Sequence, residues 1–281
     1  MRIAIKLGNV KELISLLKFY NGPFKTFELP VKLLSEKYLI STLIKQGFSF
    51  NIHGFALCNA DDADLLIDRS CYYLKLCSEL CCSIFILHGL VGSDILNPSD
   101  NAQLIEATYK TLNKINKCAV KLQIKCLLEN GCYSKYPSCQ ISEIPSDSFC
   151  HLKLAQNLGI GILLDMGHAA LSAYWYKQTL DDFLLPYENA SFSPDIIHFS
   201  DNFLNQDEHL AVGDGLANLY NYRRALTIWP DALMTVENFP NAIYKTLQWL
   251  INHSQNSYEK TDVDNLCRTM GWSFKDYKSE S

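Results

Sequence analysis

The sequence predicts an α/β protein, a single (β/α)8 barrel. Eight short, nearly continuous apolar runs follow one another along the chain, and amphipathic segments with helical spacing lie between them. Eight strand–helix repeats are what such a barrel requires, and single barrels of this kind commonly have about 250 residues. The chain has 281 residues, of which 48% are hydrophobic. We therefore expect the barrel to span residues 1–256, with a polar C-terminal extension over 257–281.

The eight predicted strands are apolar over four to six residues each. Strands of a parallel sheet are covered on both faces and have this composition. In chain order they are IAIKLG (3–8), TFELP (26–30), FSFNIHG (48–54), SIFILHG (83–89), IKCLLEN (124–130), IGILLDMGH (160–168), PDIIHFSDN (194–202) and ALMTVEN (232–238). A doubly wound open sheet is the alternative, but the segment after the first strand, LGNVKEL, lacks the glycine-rich phosphate loop typical of that fold.

The segments between the strands carry apolar residues at intervals of three and four, which predicts helices. These segments are Val10–Tyr20, Val31–Gln46, Asp62–Cys82, Ala102–Leu122, Asp147–Leu158, the stretch after His168, Leu219–Ile228 and Pro240–His253. Pro98 and Pro145 open helix-start signals, and Gly47 and Gly159 stand where helices end before a strand. In the extension, Trp272 and Phe274 indicate that the end of the chain docks on the barrel.

Composition excludes several classes of protein. The formal charge is -5 and few of the basic residues are arginine, so we do not expect a strong charge-driven affinity for nucleic acid. No apolar run reaches the roughly 18 residues of a membrane helix, and the N-terminus does not look like a signal peptide. The 11 cysteines are irregularly spaced, without a C-x-x-C pair, which favours reduced thiols over disulfides or a thiolate metal site. We expect a cytoplasmic protein; no pattern indicates its oligomeric state.

Histidines and carboxylates gather at the predicted ends of the strands, where barrel enzymes carry their active sites. Each alone fits a hydrogen-bonded structural residue or a solvated loop, but the set as a whole favours one shared site. The set is His53, His88, Glu129, Asp165, His168, His198, Asp207, His209 and Glu237. Of the seven histidines, only His151 and His253 lie elsewhere, both on helical segments.

Four of these residues are carboxylates that would share one partly dry cleft. Like charges so close disfavour one another, and a divalent cation removes the conflict. Mixed imidazole and carboxylate ligands suit Zn, Mn, Co or Fe better than Ca. The sequence therefore predicts a divalent metal site at the carboxyl-terminal end of the barrel.

The ordered motifs resemble the xylose-isomerase-like barrel superfamily over almost the whole chain. The matching segments are NIHGF, ILHG, LLEN, LLDMGH, IHFSDN, DEHLAVGDG and TVEN. That group includes sugar and sugar-phosphate isomerases and epimerases, and also zinc-dependent abasic-site endonucleases. The resemblance implies that Glu129, Asp165, His198 and Glu237 form the shared metal site.

In the endonuclease branch the resemblance implies a cluster of three ions. His53 and His88 would then hold one further ion, and His168, Asp207 and His209 would hold another, with Glu129 bridging. All nine positions are filled. Two departures favour the isomerase branch: Gly89 follows His88 where the endonucleases favour proline, and Glu208 stands where they tend to carry a basic residue.

The resulting hypothesis is a metal-dependent isomerase or epimerase that acts on a small sugar, sugar phosphate or hydroxy-ketone. Its metal would be Zn, Mn or Co. By resemblance, Glu129 and Glu237 would move the proton next to the substrate carbonyl, and His168 would contact a substrate hydroxyl. The alternatives are an abasic-site endonuclease, or a non-catalytic barrel that assists a biosynthetic pathway.

Overall fold

The protein folds into a closed barrel of eight parallel strands, as predicted. A computed structural model describes residues 1–55, 58–93, 98–136, 139–254 and 257–272. The barrel strands are β1 (Arg2–Lys6), β2 (Thr26–Pro30), β3 (Ser49–His53), β5 (Ile84–Leu87), β7 (Lys125–Glu129), β10 (Gly161–Asp165), β11 (Ile196–Phe199) and β12 (Leu233–Val236). They pair in the order β1-β12-β11-β10-β7-β5-β3-β2. Every predicted strand thus has its counterpart.

A second sheet of four short strands was not predicted. It consists of β4 (Cys58–Asn59), β6 (Leu90–Ser93), β8 (Tyr133–Tyr136) and β9 (Cys139–Glu143), in the order β4-β6-β9-β8. Its members come from the segments that follow β3, β5 and β7, at the end of the barrel where the predicted site residues lie. The β6–β9 and β8–β9 pairs are antiparallel. This sheet therefore extends one side of the barrel mouth.

The helices follow the predicted order with three differences, and the C-terminal extension contains an additional helix that was not predicted. They are α1 (Val10–Phe19), α2 (Lys37–Lys45), α3 (Ala63–Glu79), α4 (Pro98–Lys121), α5 (Ser148–Leu158), α6 (Met166–Trp175), α7 (Leu180–Asn189), α8 (Leu219–Ile228), α9 (Pro240–His253) and α10 (Lys260–Met270). The predicted helix Val31–Gln46 is divided, because Glu36 leaves helical geometry after a 3-10 turn over Val31–Ser35. The stretch after His168 forms two helices, and α4 already begins at Pro98.

Two apolar layers hold the barrel together. Inside it lie Ala4, Ile86, Leu127, Leu163, Ile196 and Leu233, one from each of six strands. A much larger core fills the space between the strands and the surrounding helices. This interior layer fills the barrel below its carboxyl-terminal end, so the interior is a packed core and not a pore.

The C-terminal extension contains a helix that packs on the barrel's outer helices α1 and α9. Trp272 is buried at 4% exposure, and its indole N–H donates to Glu12 Oε1 at 2.9 Å. The expected docking of the tail is confirmed at Trp272, whereas Phe274 lies outside the described residues. The ten described cysteines are free, as expected. Among the described helices, we find none with the length and apolar character needed to cross a bilayer.

Candidate metal centre at the barrel mouth

All nine predicted site residues lie at the carboxyl-terminal end of the barrel. His53, Glu129 and Asp165 are the last residues of β3, β7 and β10; His88 and Glu237 follow β5 and β12; His198 lies in β11; His168 lies in the first turn of α6; Asp207 and His209 lie in the loop after β11. Seven of the nine are buried, and the two loop residues are partly exposed. The strand-end rule for barrel enzymes therefore located the whole set.

The central cluster consists of Glu129, Asp165, His198 and Glu237. One donor atom from each lies within 4.8 Å of the others. Five buried atoms of this cluster lack a hydrogen bond of regular geometry: both Glu129 carboxylate oxygens, Asp165 Oδ2, His198 Nδ1 and Glu237 Oε2. They face one another instead: His198 Nδ1 makes a close ion pair with Glu237 Oε2 and lies 3.6 Å from Glu129 Oε1 and 3.7 Å from Asp165 Oδ2. Buried polar atoms without regular hydrogen bonds are costly and rare. Their convergence, with a mixed nitrogen and oxygen donor set, fits a divalent transition metal ion.

Glu28 holds two of the imidazoles in fixed orientation. This glutamate is fully buried in β2; its Oε1 lies 2.8 Å from His53 Nδ1, and its Oε2 lies 2.9 Å from His198 Nε2. A carboxylate that accepts from one ring nitrogen leaves the other nitrogen free to bind a metal. For His198 the free nitrogen is the Nδ1 atom that faces the central cluster.

His88 and His53 meet at a second cluster together with Glu129. His88 Nδ1 lies 2.8 Å from Glu143 Oε1, while its Nε2 lies 2.7 Å from His53 Nε2 and 3.3 Å from Glu129 Oε2. If each Nδ1 donates to its carboxylate, two unprotonated Nε2 atoms face one another, which requires a cation or a proton between them. His53, His88 and Glu129 again place one donor atom each within 4.8 Å.

A third set joins His168, Asp207 and His209. Asp207 Oδ2 lies 3.3 Å from His168 Nε2 and 2.9 Å from His209 Nε2. The other nitrogens are anchored to backbone carbonyls: His168 Nδ1 to Asn130 at 2.8 Å and His209 Nδ1 to Glu237 at 3.0 Å. The set is looser than the other two, since its donor atoms do not all lie within 4.8 Å of one another. Asp207 therefore bridges two histidines that stand further apart.

The loop that carries Asp207 and His209 is organised by Asp201. Its Oδ2 accepts the backbone N–H groups of Gly213 and Gly215 at 3.0 and 3.1 Å. A Cβ on Gly215 would lie 2.3 Å from the Asn202 carbonyl, so the close approach requires glycine. The Glu208 carboxylate accepts the Phe203 N–H at 2.7 Å, which ties it to its own loop.

The charges of the centre shift the pKa values of its members strongly. Burial alone would lower the pKa of His198, but the carboxylates around it, led by Glu28, raise it well above its usual range. Burial opposes charging of His209 too, yet Asp207 raises its pKa to about 9. Burial raises the pKa of Asp165 to about 6. Without a metal, protons on His198 and His209 would thus balance part of the carboxylate charge.

Four residues that sequence reasoning did not select support the centre: Lys6, Glu28, Asn130 and Glu143. The Asn130 side chain accepts the Asp165 N–H at 2.6 Å and donates to the Asp165 carbonyl at 3.1 Å. Lys6 and Glu28 are the only charged residues of the apolar runs IAIKLG and TFELP, near their carboxyl-terminal ends. The strand-end argument that selected His53 could have found both.

The centre opens to a cavity of about 400 Å³. Its lining includes Lys6, Glu237 and His209 from the centre, and Lys32 and Phe239 from the loops around the mouth. A volume of this size accommodates a small organic molecule. The cavity therefore gives a small ligand direct access to the candidate metal ligands.

Solved structures with the same fold include several sugar epimerases. One, a D-tagatose 3-epimerase-like protein, shares 18% identity over 90% of this chain and 97% of its own, with a TM-score of 0.67. D-Psicose 3-epimerase from Clostridium cellulolyticum H10 shares 12% over 96% and 97%, with a TM-score of 0.60. The 3-keto-D-glucoside 4-epimerase of E. coli shares 13% over 96% and 99%, also with a TM-score of 0.60.

These likenesses confirm the fold, a single (β/α)8 barrel. Identities below 20% do not carry a substrate or a mechanism from one protein to another. No protein-family model matches the sequence, and no curated protein matches it either. The chemistry must therefore be argued from the site itself.

Proposed function

We propose that the protein is a divalent-metal-dependent isomerase or epimerase of a small sugar, sugar phosphate or hydroxy-ketone. The observation that carries the proposal is the convergence of buried donor atoms from Glu129, Asp165, His198 and Glu237, within 4.8 Å of one another, beside a small cavity that Glu237 lines. The epimerase activity named for several proteins of the same fold supports it. Zn, Mn and Co all suit the donor set.

The proposed reaction transfers a proton at the carbon next to the substrate's carbonyl group, and glutamate carboxylates can accept and return such a proton. A bound divalent ion supplies Lewis-acid polarisation of the substrate's carbonyl oxygen. Glu129 and Glu237, from β7 and the end of β12, would remove and return the proton as general bases and acids. His168, anchored by the Asn130 carbonyl, would direct its Nε2 toward a substrate hydroxyl. Phe239 and Leu7 line the cavity, and their apolar side chains would limit access of water to the reacting carbon.

The compartment is part of the same proposal. Ten free cysteines in the described part of the chain are compatible with a reducing environment. A cytoplasmic location, where small phosphorylated sugars are available as substrates, follows as an expectation.

Solvent exchange tests the proposed chemistry directly. Protein reconstituted with Mn, Co or Zn and incubated in D₂O with a panel of ketoses and their phosphates should introduce deuterium at the carbon next to the carbonyl, as followed by NMR. Glu129→Gln and Glu237→Gln should each slow exchange by about 10³-fold, the usual range for loss of a general base. Glu237→Gln should also lower metal occupancy while the circular dichroism spectrum stays unchanged.

The matched control is Glu106→Gln, which changes a glutamate of α4 whose side chain is 60% exposed. It should exchange at the wild-type rate. Exchange that survives both active-site substitutions would show that another group moves the proton. If elemental analysis finds no divalent ion in wild-type protein, the proposal loses its basis.

An abasic-site endonuclease is the second candidate, and one observation favours it. Besides the central cluster, the structure holds the His53–His88–Glu129 cluster and the Asp207-bridged histidine pair, so three ions have candidate ligands. The formal charge of -5 and the acidic Glu208 beside Asp207 argue against a polyanionic substrate. Small-molecule chemistry therefore ranks first.

Incision of DNA separates the two candidates. Wild-type protein at moderate salt should neither bind nor cut a duplex with one abasic site. If DNA were the substrate, Glu208→Arg should raise binding to this duplex and steepen its salt dependence. Efficient incision by wild-type protein, without exchange on any ketose, would reverse the ranking.

A further inference from the structure

Lys6 places an ammonium group inside the candidate metal centre. It is the last residue of β1, and its Nζ makes a close ion pair with Glu237 Oε1. The same Nζ lies 3.2 Å from each ring nitrogen of His53 and 3.9 Å from Glu28 Oε1. The side chain is only 22% exposed. Lys6 thus contacts three residues that have the donor chemistry of metal ligands.

Those three residues belong to a cluster that differs from the three described above. Glu28, His53, His198 and Glu237 each offer a donor atom within 4.8 Å of the others, and all four are buried. Two carboxylates and two imidazoles are the same donor types that fill the central cluster, where a divalent ion is proposed. The two clusters share His198 and Glu237, so they are neighbours in one wall of the barrel. By donor chemistry alone, this fourth cluster would also take a divalent cation.

We propose that the Lys6 ammonium is the resident cation of the cluster of Glu28, His53, His198 and Glu237, and that it keeps a divalent ion out of that cluster. The inference rests on the proposed metal dependence of the centre. An ammonium supplies three N–H donors and one positive charge to the two carboxylates. A divalent ion that entered the same cluster would meet this fixed positive charge at short range, in a site with little water to screen it.

The shared glutamate links this cation to the central cluster. Lys6 takes the Oε1 atom of Glu237, while the Oε2 atom faces His198 Nδ1 in the central cluster. The ammonium therefore fixes the glutamate so that one oxygen remains for the metal. Lys6 is in this sense a positioning residue, and it sets how many divalent ions the mouth of the barrel can hold.

The test is a count of bound metal ions. Metal-free wild type, Lys6→Met and Lys6→Arg are titrated with Zn²⁺ and with Co²⁺ by equilibrium dialysis, and the bound metal is measured by elemental analysis. Lys6→Met, which keeps the length of the side chain without its charge, should bind one equivalent more than wild type. Lys6→Arg keeps a positive charge and should bind as many as wild type. The Co²⁺-loaded Lys6→Met protein should also gain visible absorption.

A second substitution locates the additional ion. In the double variant Lys6→Met with Glu28→Gln, the added equivalent should be lost, because the fourth cluster then lacks one carboxylate. Circular dichroism verifies folding, and Lys6→Gln replaces Lys6→Met if that variant does not fold. A folded neutral variant that binds the wild-type number of ions overturns the inference, and so does an added ion that persists in the double variant.

Failure of the proposed reaction gives a different result. If no ketose undergoes exchange but Lys6→Met still gains one equivalent, the reaction is wrong while the role of Lys6 stands. If exchange is observed but the neutral variant gains no ion, the reaction stands and the role of Lys6 is wrong.

Discussion

The imidazoles of the centre are oriented one by one by buried acceptors. Glu28 lies within hydrogen-bond distance of one ring nitrogen on each of two histidines, and Glu143 and the backbone carbonyls of Asn130 and Glu237 each lie within that distance of one ring nitrogen. The opposite nitrogen then faces a carboxylate or, at His53, another imidazole. Such outer partners fix the tautomer and the ring orientation of a metal ligand. The sequence predicted the histidines, but it could not show these partners, because all four come from other strands or loops.

Lys6 and Glu28 show why residue-level prediction was incomplete. A single charged residue inside an apolar run has two interpretations: a solvated strand end or a buried functional group. Hydrophobic patterning does not separate these, since the difference depends on which neighbouring strands supply opposite charges. Here β12 supplies Glu237 next to Lys6, and β3 and β11 supply the imidazoles next to Glu28.

His151 gives a pH-dependence prediction at the scale of one residue. It is fully buried in α5, with Nδ1 2.8 Å from the Tyr187 hydroxyl and Nε2 2.8 Å from the Leu128 carbonyl, and burial lowers its pKa to about 4. The unfolded chain, with a pKa of about 6.5, binds this proton more readily. The contribution of neutral His151 to the free energy of unfolding is therefore fully present above about pH 6.5. It is lost as pH decreases toward 4, by at most about 1.4 kcal/mol per pH unit.

Urea unfolding between pH 4 and 7.5 measures this slope. His151→Gln, which does not titrate, should have a lower stability at pH 7.5 and a shallower slope than wild type. The exposed His253 provides the control, because His253→Gln should leave the slope as it is. A slope that is the same in His151→Gln and wild type would contradict the prediction.

At the scale of elements, the pattern of apolar residues predicted the strands of the barrel but not the second sheet at its mouth. All eight barrel strands were predicted because each is a continuous buried run between helical segments. The second sheet was not predicted because strands such as β8 (YSKY) and β9 (CQISE) are not apolar runs, and because they pair with segments distant in sequence, as Val91 does with Glu143. Short strands in loops after barrel strands carry little patterning, since their pairing depends on neighbours distant in sequence. The site's outer wall was therefore the part that the sequence did not predict.

The contact of the C-terminal tail with α1 gives a prediction for that element. Trp272 donates to Glu12 Oε1, and Glu12 Oε2 accepts the N–H groups of Gly8 and Asn9 at the start of α1. The tail thus supports the helix start that follows β1. Trp272→Phe keeps most of the buried ring but loses a hydrogen bond to a charged group, which should cost about 2 kcal/mol of unfolding free energy.

Denaturant unfolding of single and double variants tests this contact. Glu12→Gln should cost a similar amount, and the double variant should be less destabilised than the sum of the two single variants, because both remove the same interaction. Tyr38→Phe, at a residue that is 80% exposed, is the control without effect. Strict additivity would show that the tail does not act through Glu12.

At the scale of the whole molecule, the barrel concentrates negative charge at one end. Six carboxylates, those of Glu28, Glu129, Glu143, Asp165, Asp207 and Glu237, line the centre, and of the described residues Lys6 contributes the one ammonium with a contact to them. Their mutual repulsion opposes folding of the metal-free protein. Protonated imidazoles compensate in part. We therefore expect a bound cation to stabilise the fold.

Metal removal should consequently lower the melting temperature of the whole protein. An ion that binds the native state alone stabilises it by about 2.7 kcal/mol at 100 times its dissociation constant. For a domain of this size that corresponds to a change in melting temperature of roughly 5–10 °C. Chelator should produce the decrease, and added Zn²⁺ or Mn²⁺ should reverse it in a concentration-dependent way.

The Asp165→Asn variant, with one ligand weakened, should respond less to both, whereas Asp231→Asn, an exposed aspartate, should respond as wild type does. Asp165→Asn also removes one of the repelling charges, so its metal-free form should melt no lower than metal-free wild type. Scanning calorimetry of the three proteins with and without ion measures all of these quantities, and melting curves of wild type that coincide with and without chelator would show that the six carboxylates are not balanced by a metal.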